Sequence, residues 1–115
     1  MNNNNCPVCN QHTFNSPDNY DICPICGWEN DGLQREKPNY WGGANTLSVN
    51  ESKKVFKLLK NNLLSAAVKN LLNEYQERDK KIYQKYFKLN LNDGRQIEEL
   101  KKSHELFILK LNELG

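Results

Sequence analysis

A chain of 115 residues with 37% hydrophobic and 26% charged side chains suits one domain, or a small metal module with a helical extension, and excludes a disordered chain. No apolar run approaches the roughly 18 residues of a membrane span, and Met1-Asn2-Asn3-Asn4-Asn5 lacks the charged-then-apolar plan of a secretory signal, so a cytoplasmic protein is predicted. The net charge of +2 hides an asymmetry: residues 1–47 carry five Asp/Glu against two Lys/Arg, and residues 48–115 carry fourteen Lys/Arg against nine Asp/Glu.

Residues 1–5 read as a frayed polar start. Cys6-Pro7-Val8-Cys9 follows, and Cys23-Pro24-Ile25-Cys26 repeats the pattern thirteen residues after the first pair ends. These are all four cysteines of the chain. Each pair wraps one turn of backbone around one side of a metal ion, and together they supply the four thiolates of a closed structural zinc site. Iron or a pair of disulfides are the other uses of such a set, and reduced cytosolic thiols disfavour the second. The residue after each second cysteine is expected in the left-handed conformation, where Asn10 and Gly27 stand. His12-Thr13-Phe14 and Tyr20-Asp21-Ile22 are strand candidates, joined by the turn signal Asn15-Ser16-Pro17-Asp18-Asn19. The picture is a zinc ribbon of two knuckles and a hairpin.

Residues 27–47 read as a long irregular segment pinned by Trp28, Tyr40 and Trp41. At Ser48 the texture changes. Ser48-Val49-Asn50-Glu51 is a capping box that opens a helix. Apolar residues then recur at helical spacing from Val55 to Tyr86, with Tyr83 and Phe87 on the adjoining stripe. One unbroken helix from Ser48 to Lys88 would be about 60 Å long, so a break is placed at Asn61-Asn62. Asn92-Asp93-Gly94 is the next turn, with Asp93 and Gln96 as caps. In the last helix Ile97, Leu100, Phe107, Ile108, Leu111 and Leu114 form one apolar face. The expected class is therefore a small α+β fold: a ribbon module over residues 1–47, then a helical region over 48–115 with helices near 49–61, 63–88 and 94–114.

The four-cysteine site predicts one structural Zn²⁺ held by Cys6, Cys9, Cys23 and Cys26. Catalytic zinc keeps an open position for water, and four thiolates leave none. No nucleophile, base or phosphate-loop motif stands elsewhere, so a non-enzymatic protein is expected. His12 is a spare residue beside a complete ligand set, and His104 reads as a packing histidine on the last helix. Tyr75, Tyr83, Tyr86 and Phe87 read as core, with interface anchors as the other use. Lys53, Lys57 and Lys60 share one helical face, as do Lys81, Lys85 and Lys88. Solvated faces are the plain explanation, and phosphate contacts the other. An acidic ribbon would repel a phosphate backbone. The carboxylates Asp18, Asp21, Glu29 and Asp31 would instead steer a basic protein partner.

Cys23-Pro24-Ile25-Cys26-Gly27-Trp28-Glu29-Asn30-Asp31-Gly32, with Gly43-Ala44-Asn45-Thr46-Leu47-Ser48 and Glu51 after it, resembles the bacterial cysteine-rich CPCC family of small zinc-binding domains over residues 6–56. Val8 departs from that family's C-P-C-C first knuckle but leaves the C-x-x-C ligand pair intact. Family members look like small accessory proteins, some encoded beside polymorphic toxin systems. The resemblance points to an immunity protein that neutralises a cognate toxin by occlusion. A nucleic-acid-binding zinc ribbon acting in regulation is the alternative.

Overall fold

A computed structural model describes residues 4–89 and 94–115. The predicted start at residues 1–3 and the Asp93 cap of the Asn92-Asp93-Gly94 turn lie outside the described residues. Among the described residues there are four helices: α1 (Gly32–Glu36), α2 (Val49–Leu59), α3 (Ser65–Leu89) and α4 (Gly94–Leu114). The chain divides into two compact units, Met1–Lys60 and Asn61–Gly115. The division falls after Lys60 rather than after Leu47. The reason is Val49 at the start of α2, which joins the core formed by Cys6, Phe14, Cys23 and Trp28.

In the first unit each cysteine pair sits at the tip of its own small loop. Asn5 bridges Thr13 across the first loop, and Ile22 bridges Glu29 across the second, both antiparallel. The amides of Asn10 and Gly27 close the two turns on the carbonyls of Cys6 and Cys23, each at 2.9 Å. Asn10 has φ 57° and Gly27 φ 81°, the left-handed residues that their spacing predicts.

The predicted hairpin does not form, and the α+β zinc-ribbon class is corrected to a mainly helical fold with no sheet among the described residues. The cause is local. Thr13 and Ile22, the centre and end of the two expected strands, pair within their own knuckles instead of leading a ladder. Tyr20 has φ 58°, which ends extended backbone where the second strand should begin. Between them, side chains close the turn: Ser16 Oγ donates to Asp18 Oδ1 at 3.0 Å, and Asn19 Nδ2 to Asp21 Oδ2 at 3.0 Å.

The segment read as irregular contains α1. Asp31 is its N-cap, with Oδ1 accepting from the amides of Leu33 and Gln34 at 2.9 and 3.2 Å. The Ser48 capping box is complete: the Glu51 amide donates to Ser48 Oγ at 3.2 Å and the Ser48 amide to Glu51 Oε1 at 2.9 Å.

α2 and α3 are separated at Asn61, whose side-chain oxygen accepts from the Leu63 amide at 2.9 Å and whose carbonyl accepts from Leu64 and Ser65. In the second unit α3 and α4 pack antiparallel. Pairs from Glu74–Lys110 through Arg78–Ser103 to Lys85–Glu99 run in opposite chain directions. Val68, Tyr75 and Tyr86 on α3 and Phe107 and Leu111 on α4 are buried, with the rings of Tyr75 and Phe107 stacked at 4.8 Å. The tyrosine stripe therefore divides: Tyr75 and Tyr86 are core, whereas Tyr83 is 56% and Phe87 87% exposed. His104 is buried beside Tyr75, as a packing histidine should be.

Candidate metal centre

Pro7 and Pro24 start the two cysteine turns with φ preset and no amide to satisfy. The bridged bases of the loops then aim all four thiols at one point. The four Sγ atoms of Cys6, Cys9, Cys23 and Cys26 lie within 4.8 Å of one another. The closest pairs run between knuckles, Cys6–Cys26 at 3.5 Å and Cys9–Cys23 at 3.6 Å. All four cysteines are free. A tetrahedral ion with metal–sulfur bonds of about 2.3 Å sets its sulfurs about 3.8 Å apart, so this cluster has the size of a four-thiolate site. His12 is not in the cluster, and its ring meets Phe14 edge-on at 4.9 Å.

The surroundings explain the thiols' behaviour. Phe14, Trp28 and Val49 form an apolar floor, with Val8 packed against it. Burial pushes the Cys9 and Cys26 thiols up. At Cys23 burial acts in the same direction, but the amides of Cys26 and Ile25 and the neighbouring sulfurs outweigh it and pull the thiol down. A bound cation would supply the charge that lets all four ionise together.

A polar scaffold holds the two loops to the rest of the unit. Arg35, on α1, donates to the carbonyls of Asn5 and Pro17 at 2.7 and 3.2 Å and to Asn30 Oδ1 at 2.6 Å. Its guanidinium lies 5.9 Å from the Phe14 ring, and burial lowers its pKa. Asn30 is fully buried and donates to Ser16 O and Asn19 Oδ1. Gln34, also fully buried, donates to the carbonyls of Tyr40, Asn45 and Leu47, and its Oε1 accepts twice from Asn45. Asn45 in turn pairs with the backbone of Glu29 as a strand would, accepting from N at 2.9 Å and donating to O at 2.7 Å. A Cβ at Gly43 would stand 2.8 Å from both Asp31 Oδ2 and Gln34 Cδ, so only glycine fits where that loop crosses α1.

The four predicted partner-facing carboxylates do not form one exposed rim. Asp18 and Asp21 are exposed and Glu29 is half-buried. Asp31 is 7% exposed, and besides capping α1 its Oδ2 accepts from the Ala44 amide at 3.0 Å, so it belongs to the scaffold. Sequence reasoning missed Arg35, Asn30, Gln34 and Asn45 as supports of the site. The one available signal was the closeness of Asp31, Gln34 and Arg35 at helical spacing after a tight turn.

Two short loops that converge four thiols on an apolar floor, locked by buried amides, define a small cysteine-rich metal-site protein. The sequence profile described as Cysteine-rich CPCC matches residues 4–63, just over half of the chain, and the protein belongs to that family. No curated protein matches the chain. Within the two stretches that carry the family resemblance, residues 23–32 and 43–48, Glu29 and Asp31 of the first pair with Asn45 and Ala44 of the second. Among the described residues, no helix is long and apolar enough to cross a membrane.

Proposed function

We propose that the chain is a non-enzymatic protein-binding module stabilised by one zinc ion, and that it acts as an immunity protein that occludes a cognate toxin. The cluster of four convergent thiols carries this reading, in a unit that also exposes Asp18 and Asp21. Four thiolates around a divalent ion leave no position for a substrate and give the ion a folding role. Four thiolates on Zn²⁺ also leave the site two negative charges, in the same unit as Asp18, Asp21 and Glu29. A basic active-site cleft, such as a phosphate-cleaving enzyme uses, is complementary to that surface.

The nucleic-acid alternative draws less support. Of the two lysine stripes, Lys60 lies over the Phe56 ring at 4.2 Å and Lys85 is paired with Glu99 at 2.9 Å, uses internal to the fold. The test is co-expression with the product of the adjacent gene. Co-purification, one zinc per chain by elemental analysis, and slower association at low salt in the Asp18→Ala/Asp21→Ala/Glu29→Ala variant are expected. Unchanged association kinetics would remove the carboxylate surface from the reading, and a metal-free purified complex would remove the zinc.

A further inference from the structure

The second unit carries a surface of opposite character. On α3, Arg78, Lys81, Ile82 and Lys85 recur at helical spacing, and on α4 Lys102, Ser103 and Leu106 do the same. Antiparallel packing sets the two stripes side by side, and between them lies a groove of about 430 Å³ with Ile82 and Leu106 as its apolar part. It continues past Glu99 and Lys102 into a wider hollow of about 810 Å³ that includes Lys85 and Arg95. Leu109, one turn beyond Leu106, is 59% exposed.

The lining of this groove is net positive, with the Asp79 carboxyl hydrogen-bonded to Ser103 at its edge. Arg78, Lys81, Lys85, Arg95 and Lys102 face two carboxylates, Glu98 and Glu99. Both carboxylates are engaged inside the surface: Glu98 with Lys101 at 3.7 Å, and Glu99 with Tyr86 and Lys85, which hold its carboxyl below the usual range. Arg78 is held across the groove, with Nε donating to Ser103 Oγ at 3.3 Å and an Nη donating to the Ser103 carbonyl at 3.2 Å. A guanidinium already fixed in place loses little freedom when it meets a carboxylate.

We propose that this groove is a docking surface for an acidic amphipathic helix of a partner protein. A two-helix hairpin covers one side of each helix, and a third helix laid in the groove completes a bundle. Leucine-like anchors at i, i+3 or i+4, and i+7 would meet Ile82, Leu106 and Leu109, and flanking Asp or Glu would meet Arg78, Lys81 and Lys102. A second copy docked groove to groove would bring cations against cations. Nucleic acid would use the cations but leave the leucines and the isoleucine without a counterpart. The surface is separate from the carboxylates of the first unit, and the proposal does not rest on the toxin reading.

The test uses the full, metal-loaded chain labelled for amide NMR. The probe is a synthetic helical peptide of about twenty residues with a leucine stripe and glutamate flanks, compared with a lysine-flanked version of the same stripe and with a short DNA duplex. Saturable shifts at Ile82, Ser103, Leu106 and Leu109 are expected for the acidic peptide alone. Binding should weaken with salt and fall by about tenfold or more in the Lys81→Glu/Lys102→Glu variant and in Leu106→Gln. Both variants alter exposed positions, and unchanged circular dichroism verifies their fold. Equal binding of the lysine-flanked peptide, the same shifts with DNA, no shift with millimolar acidic peptide, or a dimer in sedimentation that Leu106→Gln abolishes would each overturn the proposal.

Discussion

Residues 1–60 and 61–115 are nearly equal in length and are held together by different physics. The first unit has a core of two cysteines, Phe14, Trp28 and Val49, and buries Asn30, Asp31, Gln34 and Ser48 beside it. Those polar side chains are satisfied almost group by group by loop carbonyls and amides. The second unit stacks Tyr75 on Phe107 and buries Val68, Leu111 and Tyr86 as well. A segment of this size buries too little apolar surface to be stable from its loops alone. One half answers with a four-cysteine cluster fit for a metal ion and a buried amide network, the other with helices that satisfy their own backbones and need only one apolar seam. Stability should therefore fail independently in the two halves, through different perturbations.

Metal removal gives the largest effect. A structural zinc contributes on the order of 10 kcal/mol to modules of this kind. Complete chelation, or Cys23→Ser, should expose Trp28 and shift its fluorescence to the red while leaving most of the α3 and α4 circular dichroism. Simultaneous loss of both signals would show the halves to be one cooperative unit. Phe107→Ala is the converse experiment. A fully buried phenylalanine truncated to alanine costs about 3–5 kcal/mol, so the helical signal should melt early with the four thiols still protected by metal from a thiol reagent.

Gln34→Ala tests the amide network without touching the cluster. It leaves the Asn45 amide and three loop carbonyls short of a partner, at a cost of about 1–3 kcal/mol. Denaturant unfolding followed by tryptophan fluorescence should shift to a lower midpoint, with thermal unfolding of α3 and α4 unchanged. The smallest effect is electrostatic and lies in the second unit. Burial raises the Asp79 carboxyl, against a hydrogen bond to Ser103 and the charges of Arg78 and His104. A carboxyl raised in the folded state adds stability below its unfolded value of about 3.9, and that contribution is lost as pH rises through the folded value. Asp79→Asn should therefore raise the melting temperature slightly at neutral pH, and its advantage should vanish as pH falls below about 4. A constant difference across pH would assign the effect to something other than ionisation.

Much of the first unit's site was legible because its rules are local. C-P-x-C spacing, a left-handed residue after each pair, and the Ser48 box each depend on a few adjacent residues, and the structure has all of them. The break at Asn61 was legible for the same reason, since an asparagine side chain competes with the helix for nearby amides. The hairpin failed because extended-strand signals were read over three-residue segments, too short to say which partner each would take. Tyr20 in the left-handed region carries no sequence mark, as tyrosine seldom adopts it. Asp31 illustrates the other failure. Counted as surface charge, it is a buried cap, because the loop that returns at Ala44 brings an amide to it from thirteen residues away.

The amino-acid sequence by itself determined the four-cysteine set, the turns that present it and the positions of the long helices. Each follows from steric preference or periodicity within one or two turns of chain. Only the tertiary structure decided that each knuckle closes on itself, that α2 belongs with the cysteine cluster, and that Arg35, Gln34 and Asn45 brace it. It also decided which lysines and leucines share the groove between α3 and α4. Those outcomes depend on contacts between residues distant in sequence, where one side chain's amide or charge finds its partner only after the chain has come back on itself.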